Sequence, residues 1–223
     1  MAYFDREAHQ YDQWYQTKMG TFVDRVETKL ALKMFPLRSG MTILDAGCGT
    51  GNFSIKLAEA KAKVTGVDIS REMLLIAGEK SRQSGHEIVF QEVDLHKLPF
   101  TDASFDGVIS MAALEFIKEP EPVMDELYRV LKPDGHLLIG TINRASAWGE
   151  LYQNDYFQNN TVFRHASFKT LKELTAWRPE SLVSTGSCLF VPPDSSDEEW
   201  TEDNEAARQG YEDGGFICAM WKK

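Results

Sequence analysis

The chain has 223 residues, of which 43% are hydrophobic and 26% are charged, as is usual for a globular protein with a large core. The formal net charge is −10 and no basic run occurs, which disfavours nucleic acid as a partner because phosphate binding requires clustered Lys and Arg. No apolar stretch has the length of a membrane span, and the first residues do not resemble a signal peptide. Three cysteines without metal-ligand spacing suit a reducing compartment, so we expect a cytoplasmic protein with no metal site and no membrane contact.

The N-terminal segment, residues 4–19, is rich in aromatic and polar side chains. Tyr11, Trp14 and Tyr15 have the spacing i, i+3, i+4 and therefore share one face of a predicted helix. That face either packs on the core or covers a site, and both roles can hold at once. A second predicted helix, residues 21–35, has apolar side chains at amphipathic spacing.

The stretch 42–55, TILDAGCGTGNFSI, predicts a strand, a tight glycine turn and the start of a helix at Asn52. Its apolar run ends in Asp45, and Gly47, Gly49 and Gly51 follow at alternate positions. Glycine accepts positive φ and lets a ligand approach the backbone, while a helix N-terminus offers unpaired N–H groups. The stretch therefore predicts a site for a nucleotide-like ligand.

Two cofactor classes use such a loop, and the spacing separates them. Dinucleotide folds have the pattern G-x-G-x-x-G/A, whose last position here is Asn52. The carboxylate of Asp45 would repel a pyrophosphate, but it suits a ligand that carries an ammonium and a sulfonium. The pattern favours the second ligand type, and an NAD-dependent oxidoreductase remains the alternative.

Further strands and helices alternate along the chain, which implies a parallel sheet with right-handed crossovers. The acids Asp45, Asp68 and Asp94 each follow a predicted strand, so they would meet at the edge where such sheets bind ligands. The predicted strands are 42–45, 63–67, 87–93, 105–110, 136–142, 181–191 and 215–221. The later predicted helices are 52–60, 71–83 with Ser70 as its cap, one that begins at Pro120 or Pro122 and ends at Leu131, and 167–177 with Ser167 as its cap. A turn is predicted at 132–135, and the acidic run 194–205 is predicted to be a solvated face.

Five segments in this order resemble class I S-adenosylmethionine (SAM)-dependent methyltransferases: ILDAGCGTG, VTGVDIS, VDLHKLPF, FDGVISMAALEFI and ELYRVLKPDGHLLIGT. The resemblance covers residues 40–143 and is closest to small-molecule enzymes of the ubiquinone/menaquinone type. It implies an α/β, Rossmann-like fold whose seven-stranded, mostly parallel sheet has the order 3-2-1-4-5-7-6, an antiparallel last strand and helices on both faces. One domain would span residues 1–223, with a helical lid at 1–36 and a substrate-side insertion at 143–166.

The same resemblance implies SAM as cofactor, S-adenosylhomocysteine (SAH) as product, and roles for individual residues. Asp68 would accept hydrogen bonds from the ribose hydroxyls, Asp94 would meet the adenine amino group, and Ile69 and Leu95 would enclose the adenine. Cys48 is expected to be a small buried side chain rather than a nucleophile. The full predicted cofactor set is Asp45, Ala46, Gly47, Cys48, Gly49, Gly51, Asp68, Ile69, Met73, Asp94, Leu95, Ser110, Met111, Tyr11, Trp14 and Tyr15.

The acceptor is less defined by the sequence. The resemblance places residues 110–113, Ser-Met-Ala-Ala, where amino-methylating branches carry an Asn/Asp-Pro-Pro-aromatic motif, which disfavours nucleobase or amide nitrogen. We predict methyl transfer to a small molecule at an O, N, S or C atom by a monomer or homodimer; a noncatalytic SAM-binding module is a further alternative. Arg144 could hold an anionic substrate. The candidate general bases, none of them favoured, are His9, Tyr11, Glu115 and His165.

Overall fold

The computed structural model describes residues 2–223, and none of the helices in this range is long and apolar enough to cross a membrane. Seven strands form one sheet that is flanked by helices. The strands are β1 Thr42–Ala46, β2 Lys63–Asp68, β3 Val89–Glu92, β4 Phe105–Met111, β5 Leu131–Ile142, β6 Leu182–Cys188 and β7 Phe216–Lys222. The helices are α1 Ala8–Trp14, α2 Lys18–Met34, α3 Asn52–Glu59, α4 Arg71–Gln83, α5 Pro120–Arg129, α6 Ala147–Gln153, α7 Asp155–Asn160, α8 Leu171–Thr175 and α9 Glu202–Arg208.

The strand order is β3-β2-β1-β4-β5-β7-β6, as predicted. Strands β1 to β5 pair in parallel, whereas β7 runs antiparallel to both β5 and β6. Parallel pairing brings the carboxyl ends of β1, β2, β3 and β4 to one edge of the sheet, where Asp45, Asp68 and Asp94 meet.

The core lies on both faces of the sheet. Ile43 and Leu44 are neighbours in β1 and both are fully buried, but they belong to different hydrophobic clusters because successive strand side chains point to opposite faces. Phe22 of α2 and Leu57 of α3 pack in the first cluster, and Leu127 of α5 packs in the second. Helices therefore cover both faces and hold the binding edge rigid.

Two predicted helices begin at other residues than the sequence suggested. The helix predicted at 21–35 begins at Lys18, because the Thr17 hydroxyl accepts a hydrogen bond from the Gly20 N–H and caps it. The helix predicted at 167–177 is only Leu171–Thr175, and its cap is Thr170 rather than Ser167. Glu173 completes a capping box with Thr170, whereas the Ser167 N–H donates to the carbonyl of Glu115.

Three predicted strands differ from the structure by two residues or more at one end, and the other four differ by one residue. β5 begins at Leu131, so the predicted turn at 132–135 lies inside the strand; Asp134 has a φ of 64°, and its N–H donates to the carbonyl of Lys223. β3 is shorter than predicted and covers only Val89–Glu92. β6 stops at Cys188 instead of 191, because the next residue, Leu189, has a φ of 67° and leaves the ladder.

The acidic segment 194–205 is not simply a solvated face, which corrects the prediction. The carboxylate of Glu205 accepts hydrogen bonds from three successive backbone N–H groups, those of Leu189 (2.5 Å), Phe190 (2.8 Å) and Val191 (3.1 Å). Trp200 of the same segment is buried. Glu205 thus satisfies the backbone where β6 leaves the sheet, and a solvated carboxylate would not do so.

Candidate active site

A cavity of about 510 Å³ opens at the carboxyl edge of the strands. Its walls come from the loops after β1, β2, β3 and β4, from the N-terminal residues and from α2. A volume of this size is in the usual range for small-molecule sites, roughly 300–1,000 Å³. Most of the predicted cofactor residues line it, namely Tyr11, Tyr15, Asp45, Gly47, Cys48, Gly49, Asp68, Ile69, Met73, Asp94, Leu95 and Met111.

The glycine loop forms the floor of the cavity. Gly47 has a φ of +77°, and a Cβ at this position would lie 2.4 Å from the Cβ of Ala113, so only glycine lets the loop after β4 approach. Gly49 also has positive φ, +52°, but a Cβ there would meet nothing within 4 Å. Ala113 therefore packs against the loop at Gly47, whereas the backbone at Gly49 borders open space in which a ligand can lie.

Asp68 joins this loop to the end of β2. Its Oδ2 accepts a hydrogen bond from the Gly49 N–H at 2.9 Å, and its Oδ1 accepts one from the Ser70 N–H at 2.8 Å. Burial raises the pKa of Asp68, while these backbone hydrogen bonds oppose that shift. The carboxylate thus fixes the loop, and each of its oxygens retains a lone pair for a ligand hydroxyl.

Asp45 lies at the end of β1 and is almost completely buried. Its Oδ2 accepts a hydrogen bond from the Ser54 hydroxyl at 2.5 Å. Burial raises the pKa of Asp45 to about 7; the Ser54 hydrogen bond opposes this shift and the nearby charge of Asp68 adds to it. A cationic ligand group beside Asp45 would favour its ionised form.

The loops after β2 and β3 form an open apolar slot with an acid at its rim. Ile69 is 58% exposed although it is a large hydrophobic residue, and the partly buried Leu95 also lines the cavity. Asp94 accepts hydrogen bonds from the backbone N–H and the ring Nδ1 of His96, which lower the pKa of Asp94. Two apolar side chains that line the cavity beside an ionised carboxylate suit a flat, amine-bearing ring.

The N-terminal segment covers this edge of the sheet. Tyr11 and Tyr15 line the cavity, and their hydroxyls lie 3.3 Å apart. Phe4 contacts the rings of Tyr11 and Phe116 edge-on, with ring centroids 6.1 and 4.8 Å apart. Trp14 packs against the hydrophobic core and does not line the cavity. The predicted aromatic face of α1 therefore serves both the site and the core.

A polar cluster fastens α1 to the glycine loop. One carboxylate oxygen of Asp12 accepts hydrogen bonds from the Thr50 hydroxyl at 2.7 Å and the Asn52 side-chain amide at 3.2 Å. The other oxygen pairs with the Lys80 ammonium at 2.7 Å, and these side chains are only a quarter to a third exposed. Charge-assisted bonds in this setting are stronger than surface ion pairs. We name these four residues the Asp12 latch.

Replacing Asp12 with Ala should loosen α1. We expect the backbone N–H groups of Ala8–Trp14 to exchange with deuterium about tenfold faster, because a charge-assisted hydrogen bond contributes roughly 1.5–3 kcal/mol. Hydrogen exchange followed by mass spectrometry measures this, with Gln13→Ala, an exposed change in the same helix, as control. The remaining link, from the Ser70 hydroxyl to Asp5, should keep residues near Asp5 protected. Equal exchange in Asp12→Ala and the parent protein would show that the latch does not hold α1.

The cavity also contains a carboxylate that the sequence interpretation missed. Glu27 of α2 lines the cavity, and its carboxylate forms no hydrogen bond or ion pair with any group within residues 2–223. Burial raises its pKa well above the usual value, and the charges of Asp24 and Glu115 add to the shift. A sequence signal exists, because Glu27 falls four residues after Val23 and three before Leu30, on the apolar face of the predicted helix.

A family model described as a methyltransferase domain matches residues 37–208. The chain belongs to this methyltransferase family. An uncharacterized protein of Methanocaldococcus jannaschii is 30% identical over 227 residues, 100% of each chain. The 2-phytyl-1,4-naphtoquinone methyltransferase of Nostoc punctiforme is 33% identical over 192 residues, 80% of each chain. A similar solved structure is that of a SAM-dependent methyltransferase of Thermotoga maritima, described as a possible histamine N-methyltransferase. Its TM-score is 0.74 at 27% sequence identity, and the match covers 99% of this chain and 98% of that one.

The methyltransferase uses SAM, which confirms the predicted cofactor class and sets the oxidoreductase alternative aside. The cavity fits this cofactor: the floor is open at Gly49, and carboxylates stand at the ends of β1 and β2. Lys118 is the only Lys or Arg among the described residues that line the cavity, so little there would hold a pyrophosphate. No group of three or more His, Cys, Asp or Glu side chains in the described chain is arranged to hold a metal ion.

Four of the predicted cofactor residues do not line the cavity of the methyltransferase: Ala46, Gly51, Ser110 and Trp14. Gly51 instead begins α3 at a φ of 78°, where a Cβ would lie 3.0 Å from the Cβ of Ala77. Arg144, considered for an anionic substrate, forms an ion pair with Glu173 at 2.8 Å and is also absent from the lining.

The four candidate bases occupy different surroundings. Tyr11 lines the cavity, and burial raises its pKa to about 12. Glu115 is 1% exposed, and burial raises its pKa to about 7. Its Oε2 accepts a hydrogen bond from Thr141 at 3.1 Å, whereas its Oε1 has no partner in the described chain. His165 stacks on Tyr3 at 3.9 Å, and His9 is exposed on α1; neither lines the cavity.

No described residue of the predicted insertion, 143–166, lines the cavity directly. The insertion instead forms a second aromatic layer, in which His165 contacts Tyr3, and Phe163 contacts Phe116 at 5.8 Å between ring centroids. Tyr3 and Phe116 themselves line the cavity, so the insertion packs against the outer side of two lining residues.

Proposed function

We propose that the cavity holds SAM across the ends of β1, β2 and β3, and that the enzyme transfers its methyl group to a small molecule bound beside α2. The observation that supports this most directly is the open floor at Gly49 with the carboxylate of Asp68 bonded to the same loop. A ligand lying on Gly49 would be within reach of both Asp68 and Asp45.

In this proposal each acid meets a different part of the cofactor. Asp45 faces the methionine ammonium, since its buried carboxylate gains from a cationic partner. Asp68 accepts the ribose hydroxyls with the lone pairs that its backbone hydrogen bonds leave free. Ile69 and Leu95 enclose the adenine, and Asp94 meets the adenine amino group.

When bound, SAM supplies a methyl group that is activated by attachment to a sulfonium, which is a good leaving group. The chain has to orient the acceptor in line with that methyl group and exclude water. We infer that residues 1–36 act as a lid, with Tyr11 and Tyr15 closing the cavity and the Asp12 latch holding α1 in place. Residues 143–166 then stiffen the wall on the substrate side.

The names of the relatives do not agree on one acceptor. The Nostoc punctiforme relative is a naphtoquinone methyltransferase, and the Thermotoga maritima structure is described as a possible histamine N-methyltransferase. A Pectobacterium atrosepticum relative, 32% identical over 64% of this chain, acts on a malonyl-[acyl-carrier protein]. The acceptor class therefore has to be inferred from the cavity of this chain.

Calorimetry with SAM, SAH and NAD tests the proposed cofactor site. We expect SAM and SAH to bind and NAD to give no signal, because the cavity offers carboxylates and only one lysine where a pyrophosphate would lie. Tight binding of NAD without binding of SAM would refute the proposal. Binding of SAM with no methyl transfer to any acceptor in a broad panel would support the noncatalytic alternative.

A further inference from the structure

The cavity has a second acidic centre, apart from Asp45 and Asp68. Glu27 lines the cavity without a partner among residues 2–223, and Glu115 leaves its Oε1 unpaired although it is 99% buried. Glu27 and Tyr11 line the same cavity; Glu115 does not line it, but it directly precedes Phe116, which does. The charge of Glu115 adds to the raised pKa of both Glu27 and Tyr11. The half-buried carboxylate of Glu27 faces the cavity without a partner, which indicates that a ligand completes this centre.

The position of Glu27 separates this centre from the cofactor end of the cavity. Glu27, Leu30 and Met34 share one face of α2 by their spacing. Leu30 and Met34 lie against Gly186 of β6, where a Cβ would be 2.9 Å from each of them. Glu27 therefore faces the β6 and β7 side of the sheet, whereas Asp45 and Asp68 end β1 and β2 on its other half.

The surroundings of Glu27 suit a cation. The rings of Tyr11, Tyr15 and Phe116 line the same cavity, and aromatic faces attract cations. Lys56, whose positive charge opposes the raised pKa of Glu27, is already paired with Asp24 at 2.5 Å. An unpaired carboxylate among aromatic rings is the arrangement that recognises an ammonium group.

We propose that the methyl acceptor is an amine, which Glu27 holds through its ammonium form among Tyr11, Tyr15 and Phe116. This inference rests on the proposed function and names the acceptor class for the same cavity. A quinone is uncharged and offers no cation to Glu27, whereas a phenolate or a carboxylate would bring a second negative charge beside it, so these acceptors are disfavoured.

The proposed methyl transfer requires only the bound amine, the carboxylate of Glu27 and SAM. The bound ammonium first gives one proton to the Glu27 carboxylate, which leaves a lone pair on nitrogen. That lone pair forms the N–CH₃ bond as the S–CH₃ bond breaks, and the sulfur keeps the electron pair of the broken bond. The product is a methylated ammonium and a neutral thioether, and the proton on Glu27 leaves to solvent when the product departs.

Binding to the SAH-saturated protein tests this without relying on turnover. The probes are two amines, 2-phenylethylamine and n-butylamine, each compared with its uncharged alcohol, 2-phenylethanol or n-butanol. By calorimetry we expect at least one amine to bind about tenfold or more tightly than its alcohol, since a charge-assisted pair is lost in the alcohol. Glu27→Gln should reduce this preference to less than about threefold, while the exposed change Glu59→Gln should leave it unchanged.

The outcomes separate this inference from the proposed function. If neither amine is preferred over its alcohol while SAH binds normally, the amine assignment is wrong and the cofactor site stands. If Glu27→Gln weakens SAH binding more than about tenfold and leaves the amine preference intact, Glu27 belongs to the cofactor instead. If SAH does not bind the parent protein, the proposed function itself fails. Glu115→Gln provides a second variant, expected to lower the amine preference, should Glu27→Gln not fold.

Discussion

Replacing Asp68 with Ala is expected to weaken SAM and SAH binding by more than tenfold. The change removes a carboxylate that would hold two ribose hydroxyls, and each charge-assisted hydrogen bond contributes roughly 1.5–3 kcal/mol. It also frees the Gly49 N–H, which donates to Asp68 at 2.9 Å, so the floor of the cavity loses its support. Calorimetry with SAH gives the affinity, and circular dichroism shows whether the variant remains folded.

Two further variants make this test specific. Asp68→Asn keeps an acceptor oxygen and should lose less affinity than Asp68→Ala. Glu92→Ala removes an exposed carboxylate from the neighbouring strand β3 and should bind SAH like the parent protein. An unchanged affinity of a folded Asp68→Ala protein would remove Asp68 from the cofactor site.

Replacing Trp148 with Ala is expected to lower the free energy of unfolding by about 3–5 kcal/mol, the usual cost of truncating a buried aromatic side chain. Trp148 is 1% exposed, its Nε1 donates to the carbonyl of Val191 at 2.9 Å, and its ring packs near those of Trp200 and Tyr152. It also lies so close to Gly215 that a Cβ there would be 2.3 Å from the indole. Urea unfolding measures the change.

Tyr156→Ala is the matched control for the Trp148 variant. Tyr156 belongs to the same insertion but is 65% exposed, and we expect a change within about 0.5 kcal/mol. A loss of less than about 1 kcal/mol in Trp148→Ala would mean that the insertion is not anchored by this side chain. The expected large loss would show that residues 143–166 belong to the core rather than to a loose attachment.

Local sequence signals predicted α4 correctly but were misread at α8. The predicted limits of α4 match the structure because Ser70 caps the helix through the Met73 N–H and Gly85 follows it with positive φ, and both signals lie beside the helix. The α8 prediction was wrong although its signal is also local: Ser167 and Thr170 both suit a cap, but only Thr170 is followed three residues later by a glutamate.

The features that the sequence did not reveal depend on contacts between distant segments. Glu205 bonds to backbone groups 14 to 16 residues away, and no local pattern distinguishes it from the other acids of its run. Glu27 is a similar case. It stands on the apolar face of α2, but only the packing of that helix over the sheet brings it to the cavity.

The Asp12 latch has a consequence for the catalytic cycle. The helix that carries Tyr11 is fastened to Thr50 and Lys80. If residues 1–36 act as the proposed lid, the spent cofactor would leave only after those bonds break. Because every turnover exchanges SAH for SAM, the opening rate of α1 would then set an upper limit on kcat. A faster-opening lid would release product sooner but would admit water to the activated methyl group.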